Sequence, residues 1–345
     1  MAVGHGTVGT AGYTGRIIQL GQAMVDHNTL KQQQADHSTV QPARAALNEA
    51  IAQVNATVLG KRHEISLAFV CLLAEGHLLI EDLPGLGKTT LARAMAASVG
   101  LDFHRLQFTS DLLPSDILGV SVFDQGQQRF VFHAGPVFTQ LLLADEINRA
   151  PPRTQSALLE AMAEHQITVD GVCHRLQQPF FVIATQNPVD LVGTFPLPDS
   201  QLDRFLMRIA LGYPDATAER AMLVGADRRH LIEQAQPLLD AQQLITLRKA
   251  VTAIHASAAL IDYIQALLAH SRRFPGVRVG LSPRAGLALL RAAKAHALLH
   301  AREHVLPEDV QSVFVEVSAH RLASEGHGDE RGTLARAILA EVAVD

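Results

Sequence analysis

One octapeptide restricts this chain more than any other feature: Leu83-Pro84-Gly85-Leu86-Gly87-Lys88-Thr89-Thr90, directly after the apolar run His77–Ile80 and directly before a helical stretch over Lys88–Val99. With no Cβ at Gly85 and Gly87, successive backbone N–H groups can turn inward at a helix N-terminus and cradle a phosphate. Lys88 adds a mobile positive charge for β and γ phosphates, and the Thr89 hydroxyl can ligate Mg²⁺. The full pattern G-x-x-x-x-G-K-[ST] wants glycine at 82, where this chain carries Asp82. Such a strand, loop and helix unit implies a wound α/β sheet around it.

The flanking pattern agrees. The runs Leu141–Ala144 and Phe180–Ala184 are short and almost uninterrupted, as strands buried on both faces of a parallel sheet should be, and helical stretches over Lys88–Val99 and Arg153–His165 separate them. Helical periodicity runs from Pro42 through Ala46, Ile51 and Val54, with a second helix over Ile65–Leu73. The α/β part is expected to end near Tyr213, and from Ala216 the pattern predicts helices only: Ala216–Val224, Asp240–Ile254, Ile261–Arg272, Pro283–His300 and Pro307–Arg321. The expected division is an N-terminal extension over 1–41, an α/β core over 42–213, a helical domain over 214–325 and a helical tail over 326–345. Two hairpins interrupt the core, Val120–Phe123 with Arg129–Phe132 around Asp124-Gln125-Gly126, and Ile167–Val169 with Val172–His174 around Asp170-Gly171.

A second chemical signal is Leu141-Leu142-Leu143-Ala144-Asp145-Glu146, a buried strand that delivers two carboxylates to its C-terminal end, the edge where open α/β sheets bind ligands. Asp145 would hold Mg²⁺ through water, and Glu146 would orient and polarise an attacking water. The next strand ends Ala184-Thr185-Gln186-Asn187-Pro188, so Asn187 can position that water or sense a γ phosphate. Phosphoryl transfer is catalysed by positioning and charge neutralisation, which makes arginines the remaining part to find. Arg204, after Gln201-Leu202-Asp203, and Arg284, in Leu281-Ser282-Pro283-Arg284-Ala285 at the first turn of a helix, are the candidates, with Arg149 a third.

Other features carry less. Six glycines within residues 4–21 and the run Lys31-Gln32-Gln33-Gln34 cannot bury enough apolar area to offset chain entropy. Gly4-His5-Gly6-Thr7-Val8-Gly9 matches G-x-G-x-x-G, yet three residues precede it and leave no room for the strand that a dinucleotide site requires. His296, His300 and His304 recur every four residues and invite a metal, but they lie far in sequence from the phosphate motifs and read as structural or solvated histidines. Cys173-His174 has no partner ligands at recognisable spacing, and two cysteines in 345 residues fit a reduced compartment. The net charge, 29 − 34 = −5, offers nucleic acid no broad attraction. No run approaches the ~20 apolar residues that span a bilayer, so the chain is expected to be soluble and cytoplasmic.

Taken together the motifs resemble one family closely. Glu81-Asp82-Leu83-Pro84-Gly85-Leu86-Gly87-Lys88-Thr89, Gln107-Phe108-Thr109, Asp111-Leu112-Leu113-Pro114-Ser115-Asp116, Ala144-Asp145-Glu146-Ile147-Asn148-Arg149-Ala150, Ala184-Thr185-Gln186-Asn187-Pro188, Leu202-Asp203-Arg204-Phe205 and Ser282-Pro283-Arg284-Ala285 stand in the order and spacing of the MoxR family of AAA+ ATPases, over roughly residues 45–322. The resemblance implies an α/β, P-loop NTPase core of AAA+ type, a parallel sheet flanked by helices with β-hairpin insertions, plus a C-terminal all-helical lid. It also implies ATP and Mg²⁺ as ligands, a homo-oligomeric ring, commonly a hexamer, and nucleotide held between subunits, so that Arg204 would act on the neighbour's ATP. Whether Arg284 reaches its own nucleotide or a neighbour's stays open at this point. Asp82 in place of glycine is usual among such relatives. Val58-Leu59-Gly60 resembles the adenine-pocket stretch, with Lys61 replacing a frequent glutamine.

The function so implied is ATP-driven remodelling or activation of a protein client, with a von Willebrand A domain protein as partner. Two other classes compete with it. One is a nucleic-acid motor, against which the net charge and the lack of aromatic-rich basic strands count, although Arg129, His174 and Arg175 could form a pore patch. The other is an ATP-gated scaffold with little motor output.

Overall fold

The computed structural model describes residues 39–187, 193–224, 229–325 and 331–344; the G-x-G-x-x-G match at Gly4–Gly9 lies outside the described residues. In chain order the elements are α1 (39–57), α2 (Arg62–Leu73), β1 (Leu78–Glu81), α3 (Lys88–Ser98), β2 (Phe103–Gln107), α4 (Pro114–Leu118), β3 (Gly119–Asp124), β4 (Arg129–Ala134), β5 (Leu141–Asp145), α5 (Pro152–Glu164), β6 (Gln166–Val169), β7 (Val172–Arg175), β8 (Phe181–Gln186), α6 (Asp199–Leu202), β9 (Met207–Ile209), α7 (Ala216–Val224), α8 (Arg229–Glu233), α9 (Ala241–Ala253), α10 (Ala258–Ser271), β10 (Val277–Val279), α11 (Pro283–Leu299), α12 (Pro307–Ser318), β11 (Ala323–Ser324) and α13 (Arg331–Glu341). Among the described residues, no helix is long and apolar enough to cross a membrane.

The central sheet has the order β2-β5-β8-β1-β9 and is parallel throughout. Because successive side chains point to opposite faces, each central strand feeds two cores. Leu78, Ile80, Leu141, Leu143, Phe181 and Ile183 join α1 to α3 and the helices after α8 in one buried cluster. Leu79, Leu142, Ala144, Val182 and Ala184 pack instead with Leu158, Leu159 and Met162 of α5 in a second cluster. The first cluster runs without a break from the sheet into α9–α13, so the chain leaves the sheet after Ile209 while the core itself continues. The tail helix α13 buries Ala335 and Ile338 in that same cluster.

Two strands escaped the sequence reading for a physical reason. Phe103-His104-Arg105-Leu106-Gln107 is the edge strand β2, half exposed, and lacks the continuous apolar run of its neighbours. Met207–Ile209 is only three residues long. The expectation of helices alone after Ala216 is corrected by an antiparallel ribbon pairing Val277 with Ser324 and Val279 with Ala323; two or three residues are too few for a period to register. Both expected hairpins form, β3 with β4 and β6 with β7. They lean on one another through His174, stacked on Phe132 at 4.0 Å and edge-on to Phe138 at 6.4 Å.

Candidate functional site

The phosphate-type loop is built as its sequence suggests. Gly85 and Gly87 adopt φ of +83° and +94°, and a Cβ at either would meet nothing within 4 Å, so the space above the loop is open. Other residues would be strained in this backbone region. Helix α3 begins at Lys88 with no side-chain cap and no acidic residue in its first turn, leaving its N-terminal N–H groups to an outside acceptor. Thr89 and Thr90 follow in that turn and are half-buried, as are Leu83 and Leu86, while Pro84 is exposed. The Lys88 ammonium donates to the carbonyls of Asp82 and Leu83, the latter at 3.2 Å. Burial lowers its pKa, opposed by Asp82, Asp145 and Glu146, which are the charges gathered around it.

Asp82, the departure from glycine, has a structural task. Its Oδ1 accepts from Leu83 N at 2.8 Å and its Oδ2 from Gly212 N at 2.6 Å, tying the loop to the segment between β9 and α7. The next residue of that segment is held as well, since buried Lys61 donates from Nζ to the Tyr213 carbonyl at 2.8 Å. Val58 is buried at the end of α1 and Leu59 is half-buried. Gly60 has φ of +69° and lies so near α7 that a Cβ would sit 2.8 Å from Ala218 Cβ. A groove of about 540 Å³ opens alongside, bounded by Ile51, Asn55, Leu59, Gly60 and Arg62.

The sheet register brings the acidic pair to the same edge. Asp145 lies opposite Gln107 of β2, and Thr185 of β8 opposite Ile80 of β1. Thr185, fully buried, donates from Oγ1 to Asp145 Oδ1 at 2.6 Å and accepts from Glu146 N at 2.9 Å, so one hydroxyl orients both acidic residues. Glu146 has φ of +57°, a turn out of the strand that aims its side chain separately from that of Asp145. Arg149 Nε pairs with Glu146 Oε2 at 2.8 Å, and Gln107 Nε2 donates to the same oxygen at 2.7 Å. Asn187 is buried one residue beyond β8, its carbonyl 3.5 Å from Asn148 Nδ2, and the bond from Asp82 N to Gln186 O at 3.1 Å sets it beside the loop's first residue.

The remaining candidate arginines form a separate corner. Arg204 donates to the Leu159 carbonyl of α5 at 2.6 Å, and Arg284 approaches Asp203 Oδ2 at 3.6 Å. Arg321 pairs with Asp203 Oδ1 at 2.7 Å and donates to the carbonyls of Phe205, Leu206 and Val317. Among the described residues, neither Arg204 nor Arg284 bonds to the loop of its own chain.

Sequence reasoning missed Thr185, Arg321 and the part of Asp203, although Thr185 and Asp203 stood inside quoted motifs. It also misplaced the histidine cluster: α11 ends at Leu299, so His304 leaves that face and pairs with the His255 backbone, while Asp309 joins His296 and His300. Asp309 is already engaged by His296 Nδ1 at 2.6 Å, by Arg302, and by Leu306 N at 2.8 Å.

The chain resembles known proteins along most of its length. The profile of the ATPase family associated with various cellular activities (AAA) matches residues 77–207, and that of the AAA lid domain matches 270–342. An uncharacterised Bacillus subtilis protein, YeaC, is 44% identical over 86% of this chain and 92% of its own. Chaperone MoxR1 of Mycobacterium tuberculosis is 38% identical over 80% of this chain and 75% of its own, and protein MoxR of Paracoccus denitrificans is 34% identical over 88% and 96%. A solved structure from Cytophaga hutchinsonii, 34% identical, superposes with a TM-score of 0.82 over 91% of this chain and 99% of that one.

Proposed function

The chain belongs to the MoxR family of AAA+ ATPases, and from that premise we propose that it binds ATP with Mg²⁺ at Leu83–Thr90 and uses hydrolysis at ring interfaces to remodel or activate a protein client. The observation that carries this reading is the gathering of Lys88, Asp145, Glu146 and Thr185 at the carboxyl ends of three adjacent parallel strands, over an open, uncapped helix N-terminus. An anionic ligand fits this donor set, and the paired carboxylates fit a divalent cation beside it.

In the proposed mechanism the N–H groups from Gly85 to Thr90 and the Lys88 ammonium hold the phosphates, Lys88 exchanging its two loop carbonyls for phosphate oxygens. Thr89 and Asp145 would hold Mg²⁺, which when bound would supply charge neutralisation for the phosphates. Glu146, once it exchanges Arg149 and Gln107 for water, orients the attacking water, with Asn187 alongside it. Val58, Leu59 and Gly60 border the adenine. Arg204 gives up the Leu159 carbonyl to reach the neighbouring subunit's nucleotide, and Arg284 senses the γ phosphate, so that its loss shifts core and lid between discrete arrangements. A hexameric ring, a von Willebrand A domain partner and a cytoplasmic setting complete the proposal; the name of chaperone MoxR1 supports the chaperone part.

The test is Glu146→Gln. Calorimetry is expected to give ATP affinity close to wild type with turnover about 10²- to 10⁴-fold lower, the usual contribution of a general base. Normal turnover in that variant would mean the wrong carboxylate has been chosen, and a folded wild type without affinity for adenine nucleotides would sink the reading altogether. Proteins that co-purify with the trapped variant would identify client and partner.

A further inference from the structure

The acidic corner holds a cation that the mechanism above does not use. Arg105, in the middle of edge strand β2, lays its guanidinium on Asp145, with Nε at 3.1 Å and Nη2 at 2.7 Å from the same Oδ2. Thr185 already occupies Oδ1 at 2.6 Å. A carboxylate offers about four lone-pair positions, so three are taken and the charge is neutralised. Arg105 Nη2 also donates to Gln107 Oε1 at 3.1 Å, and Gln107 in turn donates to Glu146 Oε2 at 2.7 Å. One guanidinium therefore sits on the carboxylate assigned to the metal and one residue away from the carboxylate assigned to water.

We propose that Arg105 is a displaceable counter-cation for Asp145, a positioning residue that occupies the metal-binding carboxylate until a hydrated divalent cation arrives and whose departure loosens Gln107 from Glu146. The inference rests on the proposed role of Asp145 toward Mg²⁺. Its argument is electrostatic. The Asp145 side chain is 11% exposed, and a carboxylate so sheltered is costly without a cationic partner. A divalent cation beside it meets a like charge fixed on the same oxygen, so the two cannot share it in this half-dry setting. The Arg105 side chain is 42% exposed and stands on the outer edge of the sheet, so it can swing into water and be hydrated there while the incoming cation compensates Asp145. A permanent structural pair would bury its arginine, as Arg321 is buried against Asp203.

The experiment measures ADP binding by calorimetry across a Mg²⁺ titration, starting in chelator, for wild type, Arg105→Gln and Arg105→Lys. Without Mg²⁺ the three are expected to bind ADP alike. The Mg²⁺ concentration that half-maximally tightens binding is expected to fall about 10-fold in Arg105→Gln, the equilibrium weight of a charge-assisted hydrogen-bonded pair. Arg105→Lys keeps the charge but loses the fork, and is expected to fall in between. It also keeps the test open should Arg105→Gln fold poorly. An unchanged or higher Mg²⁺ requirement in folded variants would overturn the proposal and make Arg105 a fixed structural partner. Absence of ADP binding by wild type in chelator and in Mg²⁺ alike would show itself before any variant is compared, and would overturn the nucleotide reading together with this inference.

Discussion

Two corners of the molecule use the same chemistry, a carboxylate between cations, and put it to opposite ends. At the strand-end corner, Asp145 and Glu146 are matched by Arg105 and Arg149, whose side chains are 42% and 44% exposed. At the other corner Asp203 is matched by Arg321, 5% exposed, and by Arg284, 66% exposed. An exposed guanidinium can leave its partner and be hydrated, whereas a buried one leaves an uncompensated charge wherever it goes. The first corner is therefore built from partners that can be exchanged. The second has one buried arginine that staples α12 to the end of the sheet and one exposed arginine at longer range, the proposed γ-phosphate sensor.

The sharpest way to break this comparison is Arg204→Ala. If that arginine works on a neighbour's nucleotide, turnover should fall about 10³-fold or more, and mixing Arg204→Ala with Lys88→Ala should restore substantial activity through shared sites. No recovery in rings shown to be mixed would place Arg204 among the structural residues of its corner.

Next in size is Arg321→Ala, which strips Asp203 of its buried partner and removes a donor from the carbonyls of Phe205, Leu206 and Val317. Denaturant unfolding should show a loss of about 3–5 kcal/mol, against less than about 1 kcal/mol for Arg284→Ala. Equal losses in the two variants would erase the distinction between staple and sensor.

A smaller effect, graded with acid, tests whether burial governs the staple corner. Burial, with the adjacent Arg321 adding to it, drives the His320 pKa well below its ordinary 6.5, and its Nε2 shares a hydrogen bond with the Phe205 carbonyl. Burial likewise takes His77 down to about 3. Its Nδ1 accepts from Val182 N at 3.1 Å, which leaves Nε2 to donate to the Met162 carbonyl. Below about pH 6.5 the unfolded chain gains these protons while the folded one stays neutral until far lower pH. Stability is thus whole above pH 6.5 and declines as acid is added, by up to about 1.4 kcal/mol per pH unit for each histidine. Thermal melts from pH 7 to pH 5 check this, and a flat profile would mean that neither imidazole is held neutral by the fold.

Much of the strand-end corner was legible because its parts are contiguous. The glycines, Lys88 and Thr89 share one loop, Asp145 and Glu146 end one apolar run, and each element announces itself by its own period. The half-exposed edge strand β2 was not legible, and with it went Arg105. Nor was the shared core of sheet and lid, since a helical period says that a face is buried without saying against what.

Sequence by itself determined which chemical groups are present, in which order, and on what kind of local element, because backbone conformation and hydrophobic period are properties of neighbouring residues. Tertiary structure alone decided which cation meets which carboxylate. Arg105 reaches Asp145 across 40 positions through strand register, and Arg321 reaches Asp203 across 118 through helix packing. Burial sets how firmly each pair is held, and burial belongs to the whole fold.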